Sequence, residues 1–150
     1  MPEVSPDDIR TVLGFDFGTR KFDVATGQRI TATAGPLPPM PSRDGIPDWE
    51  SVDALIAEWQ PQALLVGLPL NMDDSESELS RLARKFGRRL EARYRLPVRM
   101  VDERLTSREA RHLLGEAAAR RKGKLPSVDS TAAVLLTEAW LEDPSIGSKP

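Results

Sequence analysis

The sequence has no cysteine and a single histidine, His112, and aromatic residues make up only 5% of it. The absence of cysteine excludes disulfides, thiolate catalysis and zinc–thiolate sites, and it is typical of a reducing compartment, so we expect a cytoplasmic protein. A site built from several histidines is excluded as well. We find no apolar run of membrane-spanning length and no signal peptide, so no membrane partner is expected. If the chain is an enzyme, its working groups are expected to be carboxylates, and such oxygen-rich sites suit Mg²⁺ or Mn²⁺.

Charge is distributed unevenly along the chain. The formal net charge is only −2. Residues 81–124 hold 15 Lys and Arg against 5 Asp and Glu, whereas residues 1–80 hold 5 against 14. A basic block in a slightly acidic protein favours an anionic partner, most simply nucleic acid. The alternative is a solvated, arginine-rich helix face.

The hydrophobic pattern predicts one α/β domain over residues 11–142, with a flexible N-terminus (1–10) and a disordered tail (143–150). The predicted elements are, in order, strands at 11–17, 20–26 and 29–34, an irregular proline-rich loop at 35–47, a helix at 49–59, a strand at 62–68, a helix at 75–94, a strand at 97–101, and helices at about 106–119 and 127–141. Strand–helix–strand order implies parallel pairing through right-handed crossovers. The expected architecture is therefore a five-stranded mixed sheet flanked by helices.

Three carboxylates stand where this topology can bring them together. Asp16 lies on the first strand, Glu103 just after the last strand, and Asp129 in the first turn of the final helix. They converge if the first strand and the two later strands are neighbours, because sites in such sheets gather at strand C-termini. Clustered acids repel one another unless a cation neutralises them. The pattern therefore predicts a divalent-metal site for phosphodiester hydrolysis, although Asp16 taken alone could equally cap a turn.

Four segments resemble the RuvX/YqgF family in order and spacing. They are VLGFDFGTRKFDVATG (12–27), VGLPLNMD (66–73), LPVRMVDERLT (96–106) and VDSTAAVLLTEAWL (128–141). The resemblance implies an RNase H-like fold similar to the RuvC resolvases, with Asp16, Glu103 and Asp129 as metal-binding catalytic acids. The family is described both as a Holliday junction resolvase and as the nuclease that matures the 5′ end of pre-16S rRNA. The expected partner is thus structured RNA or branched DNA, bound by a monomer or a homodimer.

The side chains expected to contact nucleic acid come from the basic block and from the motifs of the family. They are Arg20, Lys21, Asn71, Arg84, Arg88, Arg104, Arg120, Arg121, Lys122 and Lys124. For Arg104, an internal salt bridge to Asp102 is an equally good interpretation.

Two residues depart from the pattern of the family. Asp23 stands where the first hairpin usually has glycine. It is either a fourth acid near the site or a solvated residue on an edge face, and we prefer the second interpretation. Asp74 replaces the glycine that usually follows Asn-Met-Asp, so the turn there is expected to differ. Neither change removes a catalytic acid.

Two other function classes remain open. Asp16-Phe17-Gly18-Thr19 also resembles the first phosphate motif of actin-like ATPases and sugar kinases, but those proteins enclose a nucleotide between two such domains. The second alternative is a degenerate RNase H-like module that binds nucleic acid or a transcription factor without cutting. Intact acids at positions 16, 103 and 129 argue against it, and metal-dependent cleavage would separate binding from catalysis.

Overall fold

The computed structural model describes residues 8–18, 20–106 and 132–150. The helices and strands there are β1 (Thr11–Asp16), β2 (Lys21–Gln28), β3 (Thr33–Arg43), β4 (Ile46–Pro47), α1 (Trp49–Trp59), β5 (Ala63–Leu68), α2 (Glu78–Tyr94), β6 (Val98–Asp102) and α3 (Ala132–Glu142). Short 3₁₀ turns follow β6 (Glu103–Thr106) and α3 (Pro144–Ile146). The predicted helix at 106–119, apart from Thr106, and the basic loop at 120–124 lie outside the described residues, as does Asp129.

The strands form one mixed sheet in the order β4-β3-β2-β1-β5-β6. β1 pairs antiparallel with β2 and parallel with β5, which in turn pairs parallel with β6. The three parallel strands therefore end at the same edge of the sheet, at Asp16, Leu68 and Asp102. The α/β class and the strand neighbours on which the convergence of the acids depends are confirmed.

The described sheet has six strands instead of the predicted five, and the difference lies in the proline-rich stretch. β3 covers residues 33–43 rather than 29–34 and contains four prolines. It pairs with β2 along one side and meets the two-residue β4 only at Ser42 and Arg43. An outer strand leaves a row of backbone N–H groups without a ladder partner, and proline is tolerated there. The prediction of an irregular loop was wrong because it ignored this position in the sheet.

Helices cover both faces of the sheet and divide the core in two. Leu13 and Phe15 of β1 pack with α1 and α2, whereas Val12 packs with Leu136 of α3. Successive residues of a strand point to opposite faces. Asp16 therefore points to the α3 face, on the same side as Val12.

The C-terminal segment, which was predicted to be a disordered tail, lies against β6. The backbones of Met100 and Ser148 exchange two hydrogen bonds, with N···O distances of 2.6 and 3.0 Å. β6 is an outer strand, and its unpaired backbone groups offer partners to any nearby extended segment. Residues beyond α3 thus extend the sheet edge.

Among the described residues, no helix is both long and apolar enough to cross a bilayer.

Gly14 is required by packing between β1 and α3. A Cβ at Gly14 would run into Oγ1 of Thr137 and lie 3.3 Å from Cδ1 of Leu136. We predict that Gly14→Ala lowers the free energy of unfolding by about 1–3 kcal/mol, because the helix must shift to make room. Urea denaturation measures this loss. Gly35→Ala is the matched control, since a Cβ there meets nothing within 4 Å, and equal losses at the two positions would contradict the packing argument.

Candidate active site

Asp16 and Glu103, two of the three predicted acids, meet at the C-terminal end of the parallel strands. Asp16 ends β1, and Glu103 begins the 3₁₀ turn after β6. The strand between them, β5, carries Gly67 at this level, where a Cβ would lie only 2.7 Å from Oε1 of Glu103. The Glu103 side chain therefore passes over Gly67, and its carboxyl group is hydrogen-bonded to Asp16.

Burial and the neighbouring acid perturb Glu103 strongly. Loss of water around the carboxyl group is the largest cause that raises the pKa of Glu103 to about 9, followed by the hydrogen bond to Asp16 and the charges of Asp16 and Asp102. Each of these disfavours a second negative charge beside Asp16. The two carboxyl groups can share a proton or bind a cation between them. Two adjacent carboxylates at a strand end fit the oxygen preference of Mg²⁺ or Mn²⁺.

Asp129, the third predicted acid, is not among the described residues. The parts of the chain that are described contain no group of three or more Asp, Glu or His side chains placed to hold a metal. The N-terminal turn of α3 begins three residues after Asp129, and its Ala133 packs with Ala25 of β2. The other end of the helix packs near the start of β1, where Trp140 belongs to the same buried cluster as Ile9 and Val12. α3 thus begins at the Asp16 end of β1, and the three-acid site stays a prediction.

Asp23 lies directly opposite Asp16 in the β1–β2 ladder. Opposed residues of an antiparallel pair project to the same face. Asp23 is consequently on the α3 face beside the acid pair, with 24% of its side chain exposed and one carboxylate oxygen 3.7 Å from Nζ of Lys21. This position favours the interpretation of Asp23 as a further acid near the site over the solvated edge position.

Arg104 ties the loop between β5 and α2 to the end of β6. Its Nη2 lies 2.7 Å from Asp102, its Nη1 lies 2.7 Å from Asp74, and the backbone carbonyl of Asn71 accepts a 3.3 Å hydrogen bond from Nη1. The salt bridge to Asp102, one of the two interpretations, is therefore present. A contact between Arg104 and nucleic acid stays a prediction.

Asp74 explains how the loop tolerates the loss of the usual glycine. Its φ angle is +70°, in the left-handed region that glycine adopts at little cost. Aspartate is one of the few other residues that tolerate this conformation. The turn keeps a glycine-like backbone, and the new carboxylate gains the ion pair with Arg104.

The basic residues of α2 fall into two groups. Arg81, Arg84 and Arg93 are neutralised by carboxylates of Glu78, Glu76 and Asp53, at distances no greater than 2.8 Å. Lys85, Arg88 and Arg89 are exposed and have no ion pair within the described residues. α2 packs on the opposite face of the sheet from Asp16. A nucleic acid that contacts both surfaces must therefore pass around an edge of the sheet.

The other predicted contact residues differ in their exposure and in the contacts that their side chains already make. Arg20 is exposed, and Lys21 is near Asp23. The side-chain amide of Asn71 donates a 2.9 Å hydrogen bond to Ser75 within its own loop. Arg120, Arg121, Lys122 and Lys124 lie outside the described residues.

Gly67 is the site residue that sequence reasoning missed. It interrupts a buried strand of larger apolar residues, Ala63–Leu68. A glycine inside a strand often marks close approach by another group. That signal was present in the sequence and could have identified the place where Glu103 crosses β5.

Comparison with known proteins identifies relatives over most of the chain. Residues 10–143 match a family model described as "RuvX: Holliday junction resolvase". A protein of Marinobacter nauticus named "Putative pre-16S rRNA nuclease" is 52% identical over 134 residues, covering 89% of this chain and 94% of the relative. A protein of the same name from Hahella chejuensis is 52% identical over 132 residues, covering 88% and 84%.

The fold is also similar to that of solved structures. RuvC of T. thermophilus, in complex with a Holliday junction substrate, aligns with a TM-score of 0.53 and 14% sequence identity, covering 93% of this chain and 98% of RuvC. A second structure, of Thermus thermophilus RuvC, gives the same TM-score of 0.53. At this identity the likeness concerns the fold, and it confirms the RNase H-like architecture similar to RuvC.

Proposed function

The chain belongs to the RuvX family, and from this premise we propose that it is a metal-dependent endonuclease that matures the 5′ end of pre-16S rRNA. The observation that carries the proposal is the contact between Asp16 and Glu103 at the end of the parallel strands. The names of relatives 52% identical to it support the choice of RNA substrate.

Each side chain of the candidate site has a separate role in this proposal. Asp16 and Glu103 would hold the metal, Mg²⁺ or Mn²⁺, and Asp129, three positions before α3 in the sequence, would complete the ligand set. When bound, the metal supplies a Lewis acid that activates water and stabilises the leaving oxygen. Partial burial of Glu103 removes some of the water around its carboxyl group and strengthens its attraction for a cation. Gly67 leaves the space through which Glu103 reaches Asp16.

A second candidate is resolution of four-way DNA junctions. The family description and the likeness in fold to RuvC bound to a Holliday junction favour it. Resolution needs two cuts related by symmetry, so this function requires a dimer. A monomer in solution would favour the RNA substrate.

Cleavage of two labelled substrates tests the proposal. The purified protein is incubated with a pre-16S rRNA 5′ leader or a four-way DNA junction, each with Mg²⁺, Mn²⁺ or EDTA. We expect metal-dependent cutting of the RNA alone. Paired, symmetric cuts in the junction alone would make the protein a resolvase, and binding without cutting under every condition would leave only a binding module.

The α2 cations that have no ion pair within the described part of the chain are predicted to contact phosphates. Replacing Lys85, Arg88 and Arg89 together by alanine should weaken binding to the RNA leader. The slope of log K against log salt concentration should become less steep by about 2 to 3. With three phosphate contacts removed, binding releases fewer counterions from the RNA. Fluorescence anisotropy at several salt concentrations measures this change. The charge-neutral control Arg81→Ala/Glu78→Ala should leave the slope unchanged, and a wild-type slope in the triple variant would show that this surface does not contact the substrate.

A further inference from the structure

The loop between β5 and α2 is held firmly although its tip is exposed. Leu70 and Glu76 form an isolated β-bridge at its base. Nearer the tip, the N–H of Asn71 donates to the carbonyl of Ser75 at 2.9 Å, and the N–H of Asp74 donates to the carbonyl of Asn71 at 3.0 Å. Such a closed turn has few conformations to lose when it binds a partner.

Arg104 holds the same loop from outside. It bridges Asp74 and Asp102, and Asp102 immediately precedes Glu103. The turn is thereby joined to the strand end that carries the acid pair. Residues at its tip therefore lie at the C-terminal end of the parallel strands, the end that also carries the acid pair.

Met72 occupies this tip, and 91% of it is exposed. A single exposed apolar residue is ordinary on a protein surface. Met72 differs because a braced turn holds it at the edge of the sheet where Asp16 and Glu103 meet. Ile30 is exposed to the same 91% but lies on the turn between β2 and β3, near the start of β1 and away from the acids.

We propose that Met72 contacts an unstacked base of the nucleic-acid substrate, next to the bond that is cut. The inference rests on the proposed function, since it assigns a substrate contact to the same site. The methionine side chain is unbranched and polarizable, so it adapts to the flat face of any base. Apolar side chains, methionine among them, serve as wedges between bases in other nucleic-acid complexes. The contact would favour substrates with an unpaired or distorted base at the cleavage position over a continuous duplex.

Binding measurements in the Asp16→Asn background, where cutting is suppressed, test the contact. The probe is the fluorescein-labelled pre-16S rRNA leader, and its dissociation constant is compared with and without a second substitution. Met72→Ala should weaken binding about 5- to 10-fold, the lower end of the effect of losing a base–aromatic stack, because methionine has no ring. Met72→Leu should stay within about twofold because it remains apolar and of similar volume. Met72→Gln, which matches methionine in length but is polar, should behave like the alanine variant.

Two further readouts separate a base contact from a general effect. Met72→Ala should leave the salt slope of binding unchanged, because no phosphate contact is lost. With 2-aminopurine placed at successive positions of the leader, binding should raise fluorescence at one position by unstacking that base. Met72→Ala should reduce this rise. The control Ile30→Ala should change neither affinity nor fluorescence.

The outcomes keep this inference apart from the proposed function. If the wild type cuts RNA and the Met72 variants bind and cut as it does, the Met72 contact is overturned and the nuclease stands. If the protein cuts nothing but Met72→Ala weakens binding and Met72→Leu does not, the Met72 contact is supported and the nuclease function is overturned. Failure of every variant to bind nucleic acid would overturn both.

Discussion

Replacement of Asp16 by asparagine is expected to reduce metal-dependent cleavage by about a thousandfold or more. Asparagine keeps the shape of the side chain but removes the negative charge that attracts a divalent cation, and removal of one catalytic group commonly costs this much. Single-turnover cleavage of the RNA leader in saturating Mg²⁺ measures the loss. A rate within tenfold of the wild type would show that Asp16 does not hold the metal.

The same substitution is expected to improve the stability of the metal-free protein. The pKa of Glu103 is raised from 4.5 to about 9 by burial, by the hydrogen bond to Asp16 and by nearby charge. Between these values the folded state keeps a proton that the unfolded state releases, so stability falls as pH rises from 4.5 through about 9. Asparagine removes one negative charge and can donate a hydrogen bond to Glu103, so this decline should become shallower.

Urea denaturation in EDTA between pH 5 and 9 measures this decline for both proteins. Addition of Mn²⁺ should raise the midpoint of the wild type, because a ligand that binds only the folded state stabilises it. The same concentration of Mn²⁺ should raise the urea midpoint of Asp16→Asn far less. Loss of activity together with a gain in metal-free stability is the signature of a site held under electrostatic strain for function. A simple folding defect would lower both the activity and the metal-free stability.

The convergence of Asp16 and Glu103 could be predicted from sequence because it depends on strand order alone. Buried runs separated by a helix imply parallel neighbours, and parallel neighbours end at the same edge. The crossing over Gly67 depends on register, which the hydrophobic pattern does not show for strands buried on both faces. In the structure, Gly67 pairs with Val101 and shares the α3 face with Asp16. A shift by one residue would have put a larger side chain in the path of Glu103.

The numbers of arginines and prolines in a segment were less informative than the places of those residues in the folded structure. The basic block could be counted, but the count does not show which arginines are already neutralised. Asp53, which pairs with Arg93, is 40 residues away in the chain. The prolines of β3 likewise indicated a loop because composition carries no information about which strands lie at the outside of a sheet. The ion pairing of the arginines and the pairing of β3 both depend on tertiary contacts rather than on local conformation.

Gly67→Ala is expected to move the carboxyl group of Glu103 without removing it, and so to show how much of the activity depends on its position. The new Cβ would stand 2.7 Å from Oε1 and 3.1 Å from Cγ of Glu103, so the carboxyl group must move away from Asp16. A misplacement of about 1 Å in a catalytic group can cost about a hundredfold in rate. We therefore expect cleavage to fall by about that factor in Mg²⁺. Stability should change little, because the obstructed atoms are the end of a flexible side chain and Cδ2 of Leu136, 3.1 Å away, needs to move by only a fraction of an ångström.

Two comparisons make this result interpretable. Gly35→Ala, made in the same sheet with no atom within 4 Å of the new Cβ, should cut like the wild type. Gly67→Ala should also need a higher Mn²⁺ concentration to reach half-maximal rate, because its two carboxylates no longer converge on one cation. A folding defect would lower the amount of active enzyme without moving this midpoint. Wild-type rate and midpoint in Gly67→Ala would mean that Glu103 reaches its working position by another route, and the crossing over β5 would then have no role in catalysis.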